Sequence, residues 1–427
     1  MIKRLLPVSD LYRNISTLVV GTFLAQLVPM LLQALLRRLY PAEDWGAFAV
    51  FISITGILMV VASLRYEMAV VLPEKRSDAI NLTIAGILSA LVFNLVLLLV
   101  IWVFNPSLVR FLNLSPDHGF ILYYLPAAIF LFSTYQVMNY YLVRCKAYKA
   151  VSINKISRRI SEGAVHTVLG FAGKFSTGLI WGNIAGHVFN VLAGWIQMVR
   201  HGFSLKVVSL KKQWELMKKY REFPMYNLIP AFLNAVCMHF PLILVNKFYA
   251  QETTAYFDLA KQVLVLPASI LALSISQVLL QNIAEKSRKQ ESISRDIYRI
   301  LLGLGILAAG MVVIILLWAP GLFSLYAGED YYTSGVYAQI IVAGAAMKLM
   351  VSPLSSIFPA LKKIKIVSFW QAFYFLLICT LFLFREADII SFLKVYLLID
   401  LIAYGLLLIL IIRLTRNYEK NISKKTN

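Results

Sequence analysis

The chain has 427 residues, 60% hydrophobic and 15% charged, with 41 Lys and Arg against 21 Asp and Glu. Soluble domains run nearer half apolar and a quarter charged, which excludes a soluble enzyme, a disulfide-stapled secreted domain and a disordered tail protein. The formal charge of +20 reads first as loop charge that orients helices and faces anionic lipid, ahead of nucleic-acid binding.

Apolar runs lie at 15–36, 45–64, 79–103, 120–142, 153–173, 177–198, 224–246, 254–280, 298–318, 334–357, 366–384 and 389–412. Each is long enough to cross a bilayer as a helix at about 1.5 Å per residue. Helices are required because hydrocarbon cannot hydrogen-bond an open backbone. The first run follows Lys3, Arg4 and Arg13 and ends at Arg37-Arg38 with no small-residue cleavage site, so it reads as a retained span. The fifth is polar through its first half. Charge parity keeps it: with all twelve spans, 32 Lys and Arg fall on one side, 6 on the other, and Lys261, Lys348 and Lys394 inside spans. The positive-inside rule then places both termini in the cytoplasm of a multi-pass membrane protein. The longest outer loop has about 16 residues, too short for an external catalytic domain.

The spans divide into six-helix bundles at 1–204 and 224–427. The linker 205–223 carries LKKQWELMKKYRE, a basic interfacial helix. A shift of 209 residues lays RRLYPAEDWGAF (37–48) over NKFYAQETTAYF (246–257), matching Arg38 with Lys247 and Tyr40 with Tyr249. Ala255 departs from the repeat, standing where Gly46 calls for glycine. Paired bundles of this kind are common in transporters, with the substrate path between them.

Nucleotide and metal signals are missing. There is no GxxxxGK[ST], and Gly303, Gly305 and Gly310 lack the spacing and the preceding strand of a dinucleotide loop. The histidines show no HExxH spacing. Cys145, Cys237 and Cys379 are too dispersed for a framework and read as apolar fillers. No cofactor is expected beyond an ion gradient of H+ or Na+. Gly182, Gly186 and Gly194 read as a close-packing face on the sixth span.

The chemistry must lie in charges at membrane depth, each costing at least about 2.5–3.5 kcal/mol at the bilayer centre. Arg38, Arg65, Arg159, Lys247, Lys261 and Lys348 are candidates for a basic, substrate-binding lumen. Glu162, Asp258 and Asp400 are candidates for ion coupling. Each has a bland alternative. Lys348 and Asp400 make a structural ion pair or a ligand site. Arg65 anchors topology, neutralised by Glu67, or serves the lumen. Arg38 and Lys247 snorkel to the surface or line a shared cavity. Arg159, Glu162 and His166 share a face of the fifth span. Pro29, Pro126, Pro230, Pro241, Pro267 and Pro353 lie within spans, as static kinks or as hinges.

The segments YPAEDWGAFAVF (40–51), LRYEMAVVLP (64–73), YLVRCKAYKAVSINKISRRI (141–160), YREFPMYNLIPAFLN (220–234) and YFDLAKQVLVLPASILALSISQVLL (256–280) follow one another in an order that resembles a polysaccharide translocase. The likeness is to the O-antigen flippase (Wzx) type of the multidrug/oligosaccharidyl-lipid/polysaccharide exporter superfamily. It implies an all-α polytopic membrane protein, twelve transmembrane helices in two six-helix bundles around a central cationic cavity. It implies a cargo of polyprenyl-pyrophosphate-linked oligosaccharide, an O-antigen or capsule repeat unit for lipopolysaccharide or surface polysaccharide biosynthesis, moved to the outer leaflet. Arg65 and Lys261 are the lumen cations it favours. Expected partners are that lipid-linked oligosaccharide, membrane lipids, and a polysaccharide polymerase with its chain-length regulator, with no nucleic acid. The rivals are a multidrug or organic-ion exporter of the same fold, a polytopic glycan polymerase or ligase, and a non-transporting scaffold for glycan assembly.

Overall fold

The computed structural model describes residues 30–426, and among them every regular element is helical. The main helices are α1 (Ala42–Ala62), α2 (Arg76–Leu112), α3 (Leu125–Arg144), α4 (Tyr148–Phe171), α5 (Phe175–Arg200) and α6 (Leu210–Lys219). They continue as α7 (Leu228–Phe248), α8 (Gln251–Lys289), α9 (Ser294–Ala327), α10 (Tyr332–Val351), α11 (Ile364–Thr380) and α12 (Ile389–Thr426). The chain divides into two compact units, Met1–His239 and Phe240–Asn427, with the boundary inside α7.

Among the described residues nine helices have the length and apolarity of a membrane span. Two more, α4 and α8, are long enough but more polar. Most of the first expected span, 15–29, lies outside the described residues. The most apolar helices are the least buried: 17% of the most apolar stretch of α2 and of α9 is buried, against 61% within Glu329–Ala360. A water-soluble protein shows the reverse order. Here Val92, Leu99 and Trp102 of α2, and Leu302 and Leu317 of α9, are all exposed, as a hydrocarbon solvent allows.

The polarity of α4 is turned inward. Glu162 and His166 are buried, and α5 packs on them through glycines. A Cβ at Gly182 would run into the His166 ring, and one at Gly186 would come within 2.8 Å of Glu162 Cβ. Gly194 approaches Met138 and Tyr135. The glycine face therefore lets a polar helix bury its side chains against a neighbour.

Helix ends follow local chemistry. Asn113 (φ 54°) and Gln290 (φ 57°) close α2 and α8 in the left-handed region, a position that favours glycine and tolerates asparagine. Asp388 starts α12, its Oδ2 accepting from Ser391 N at 3.1 Å. Those hydrogen bonds hold its carboxyl below the usual range. The prolines do not all lie mid-span. Pro126 stands at the start of α3, where a 3-10 turn (Pro116–Tyr124) gives way to α-helix. Pro353 opens a 3-10 turn (Ser352–Ser356) beyond α10. Both mark starts because proline lacks the N–H that a helix interior needs and a first turn does not. Pro241 is inside α7, and Pro29 lies outside the described residues.

The 209-residue repeat reappears as contacts. In the first unit Arg37 stacks over Trp45 at 4.0 Å, and in the second the matching Thr254 hydroxyl donates to Asn246 Oδ1 at 3.2 Å. A Cβ at Gly178 would strike the Tyr40 ring. The matching pair is joined directly, Tyr249 Oη donating to Ala387 O at 2.7 Å. Tyr40 Oη also donates to His166 O at 2.6 Å. Burial, aided by Asp44 for Tyr40 and by Asp388 for Tyr249, pushes both phenols up to about 12, so both stay hydrogen-bond donors at neutral pH.

The far end of α12 fastens the turn between α8 and α9. Glu419 Oε1 accepts from Ile293 N at 2.8 Å, Ser294 N at 2.9 Å and Ser292 Oγ at 3.1 Å. It thereby caps the otherwise unpaired N–H groups at the start of α9.

Candidate functional site

Most of the candidate charges gather in three clusters among the described residues, two in the first unit and one in the second. The first is the corner after α1. Leu64 (φ 52°) and Arg65 (φ 62°) are consecutive left-handed residues, a conformation costing about 1–2 kcal/mol per L-residue. The surroundings hold it. Ser63 Oγ donates to Glu67 Oε2 at 2.6 Å, and Arg65 Nη1 pairs with Glu67 Oε1 at 3.3 Å. Tyr66 Oη donates to Met217 O at 3.1 Å. Tyr66, Ala69 and Val70 then enter a core with Ile80, Leu82 and Tyr141. Arg65 and Glu67 are thus brought together by a strained reversal. Such outliers persist where packing over-determines them, and they concentrate at functional sites.

The second cluster lies between α4 and α5. Glu162 Oε2 pairs with Arg159 Nη1 at 2.9 Å and lies 3.8 Å from Arg158 Nη2. Its Oε1 accepts from Asn183 Nδ2 at 2.8 Å. His166 Nε2 is 2.7 Å from Leu179 O. Sequence reading put Arg159, Glu162 and His166 on one face but passed over Arg158, which shares Glu162, and His187, buried nearby against Phe132.

The third cluster is built by α10, α11 and α12. Lys348 Nζ is 2.7 Å from Asp400 Oδ2 and donates to Tyr396 Oη at 3.2 Å. Asp400 Oδ1 accepts from Tyr374 Oη at 2.7 Å. The ammonium lies 5.2, 5.6 and 5.9 Å from the ring centroids of Tyr396, Tyr404 and Tyr374, within cation–π range. Trp370 stacks on Tyr374 and fixes itself by donating to Ala403 O at 2.6 Å. Gly344 leaves room for the carboxylate: a Cβ there would meet Asp400 Cβ at 3.0 Å. Lys261 approaches this group through Phe257, whose ring is 5.8 Å from its Nζ and which packs on Tyr396. Asp258, one helical turn away, accepts from Gln262 Nε2 at 2.7 Å.

Arg38 is exposed and Lys247 half-buried. The buried cation at that turn is Arg37, 2% exposed, which the sequence reading left out. The tyrosine cage was also left out, although Tyr396, Asp400 and Tyr404 recur at i, i+4 and i+8, and Trp370 and Tyr374 at i and i+4, the signature of shared helix faces.

One asymmetry unites these three candidate clusters, though not the buried His118–Asp44 pair, where both partners are withdrawn. In each of the three the acid is withdrawn and the cation remains partly open. Side-chain exposures are 24% for Arg65 against 5% for Glu67, 29% for Arg159 against 9% for Glu162, and 21% for Lys348 against 4% for Asp400. The pairs neutralise charge while presenting its positive end. Among the described residues no three His, Cys, Asp or Glu gather as a metal site.

A family model described as polysaccharide biosynthesis protein matches residues 35–335. No curated protein matches the chain in sequence. Among solved structures, an inward-facing multidrug resistance MATE family transporter of the MOP superfamily superposes with a TM-score of 0.74 at 13% identity, covering 94% of this chain and 96% of that one. The lipid II flippase MurJ, in an inward closed conformation, gives 0.74 at 13%, covering 95% and 90%. A MOP superfamily transporter from Pyrococcus furiosus, described as having a binding pocket of reverse polarity, gives 0.62 at 11%, covering 94% of each. The fold is therefore that of MOP-superfamily transporters: all-α, polytopic and built from two bundles.

Proposed function

The chain belongs to the polysaccharide biosynthesis protein family, and from that premise we propose that it is a flippase for polyprenyl-pyrophosphate-linked oligosaccharide. The observation that carries the reading is the outward presentation of cations from pairs whose acids are buried. A pyrophosphate needs that arrangement. Arginine offers its oxygens a two-point fork and lysine a point charge, while the withdrawn acids spare the cargo repulsion and keep the empty protein from holding uncompensated charge. An organic-cation exporter needs the opposite polarity.

In this reading Arg65, Arg159, Lys261 and Lys348 bind the head group, with Arg38 and Lys247 at the outer entrance. The lipid tail stays in the membrane while the head crosses from the cytoplasmic to the outer leaflet of an inner membrane. Two states alternate, biased by their different affinity for cargo. An H+ or Na+ gradient, acting through Glu162, Asp258 or Asp400, or removal of product by a polymerase, supplies direction. Both termini are cytoplasmic.

The test is complementation of a deletion strain. Arg65→Ala and Lys261→Ala should each abolish surface polysaccharide while membrane-inserted protein stays at wild-type abundance. Normal polysaccharide from both variants would overturn the cationic path. Restored drug resistance without polysaccharide would favour the exporter.

A further inference from the structure

The basic helix α6 walls an apolar groove of about 420 Å³ in the first unit. Leu64 lines it at the strained corner, Leu88 and Val92 line it from α2, and Trp214 and Met217 line it from α6. Leu88 and Val92 are exposed members of the apolar outer face of α2. The groove is therefore continuous with the surface that meets hydrocarbon.

Two polar side chains interrupt this lining, Gln213 and Ser89, whose hydroxyl donates to Ala85 O at 2.9 Å. Gln213 is 4% exposed, lines the groove, and its Nε2 has no hydrogen-bond partner. A buried donor is unfavourable until an acceptor reaches it. Beside it, Lys211, Trp214 and Lys218 recur at i, i+3 and i+7, which puts them on one stripe of the helix. All three are exposed, and Lys218 Nζ is 5.3 Å from the Trp214 ring centroid. An indole between two ammonium groups, at the edge of an apolar groove, combines an interfacial anchor with an anion site.

We infer that this groove is a binding site for one anionic glycerophospholipid. An acyl chain lies along Leu88, Val92 and Met217. Gln213 Nε2 donates a hydrogen bond to an ester carbonyl, and the phosphate sits against Lys211 and Lys218. The charge stripe selects an anionic over a zwitterionic head group. Because Leu64 carries one of the two left-handed residues, the bound chain braces the corner that holds Arg65.

The test uses the full chain in vesicles containing a phospholipid brominated on its acyl chains, which quenches nearby tryptophan. The signal of Trp214 is wild type minus Trp214→Phe. Brominated phosphatidylglycerol should quench it at about thirtyfold lower mole fraction than brominated phosphatidylcholine, given roughly 1 kcal/mol for each of the two lysines at an anionic surface. Lys211→Gln with Lys218→Gln should erase that difference, and Gln213→Leu should weaken quenching by both lipids. Ser89→Phe, which fills the groove from α2 without adding an indole, should weaken it with both lysines intact. Equal quenching by both lipids in the wild type would overturn the inference. So would release of the quench by stoichiometric unbrominated polyprenyl pyrophosphate but not by excess unbrominated phosphatidylglycerol, which would assign the groove to the cargo's own tail.

Discussion

Removing either partner of the Lys348–Asp400 pair should destabilise the second unit, and unequally. Stranding one member of a buried ion pair costs about 3–5 kcal/mol. Lys348→Met strands Asp400, whose side chain is 4% exposed and which retains the Tyr374 hydroxyl at 2.7 Å. Asp400→Asn strands Lys348 in a milder place. The ammonium keeps the Tyr396 hydroxyl and three tyrosine faces, and its side chain is 21% exposed. Cation–π contacts of about 0.5–2 kcal/mol should make this loss about 1–2 kcal/mol smaller. The double variant removes both charges and leaves asparagine bonded to Tyr374, so its loss should be near 1 kcal/mol. Thermal midpoints of the detergent-purified protein, followed by intrinsic fluorescence, should rank Lys348→Met lowest, then Asp400→Asn, then the double variant. A midpoint for Asp400→Asn below that of Lys348→Met would refute the cage. A double variant as unstable as the two single losses combined would refute the pairing itself.

Gly182→Ala should lower the thermal midpoint by the equivalent of about 1–3 kcal/mol, because the new methyl enters the His166 ring. Gly303→Ala, with nothing within 4 Å, should be neutral or mildly stabilising, and equal losses at the two sites would refute the packing account. Gln290→Gly should stabilise by about 0.5–1 kcal/mol by relieving a left-handed side chain at the end of α8, and a lower midpoint would contradict this. Tyr40→Phe should lose the bond to His166 O and be less stable at neutral pH, with a pH-dependent gap. The folded phenol titrates near 12 against 10 when unfolded, so its contribution is complete below about pH 10 and fades as pH rises toward 12. The midpoints of wild type and variant should therefore converge over that range, and a constant gap would exclude the linkage.

The spans were legible because hydrocarbon leaves the backbone one option, so long apolar runs translate directly into α2, α9 and α12. The fifth span was legible only through charge parity, since its own side chains are polar. The structure supplies the reason, with Glu162 and His166 turned onto α5 glycines. The pairs Arg65–Glu67 and Lys348–Asp400 could be named from the sequence as alternatives, but their geometry could not be read there. Arg65 and Glu67 are two residues apart, and no local pattern announces the left-handed reversal that joins them. Lys348 and Asp400 are 52 positions apart, and their proximity depends on how α10 packs on α12. The tyrosines around them looked like ordinary membrane aromatics until that packing gave them a common centre. Arg37 and Arg38 illustrate the same limit: adjacent in sequence, one is buried against Trp45 and the other is exposed, a difference set by helix phase at a turn.

The Glu419 cap has a consequence for biogenesis. The turn it closes precedes it by 125 positions at Ser294. At ribosomal speeds of about 5–20 residues per second, the α8–α9 hairpin waits roughly 6–25 s after its own synthesis before that carboxylate emerges. Throughout the interval the start of α9 must borrow water or lipid head groups as acceptors, so the hairpin enters the membrane before its final fastening is available. The last turns of α12 act as a late-arriving clasp, which makes their removal a lesion of assembly as much as of the finished fold.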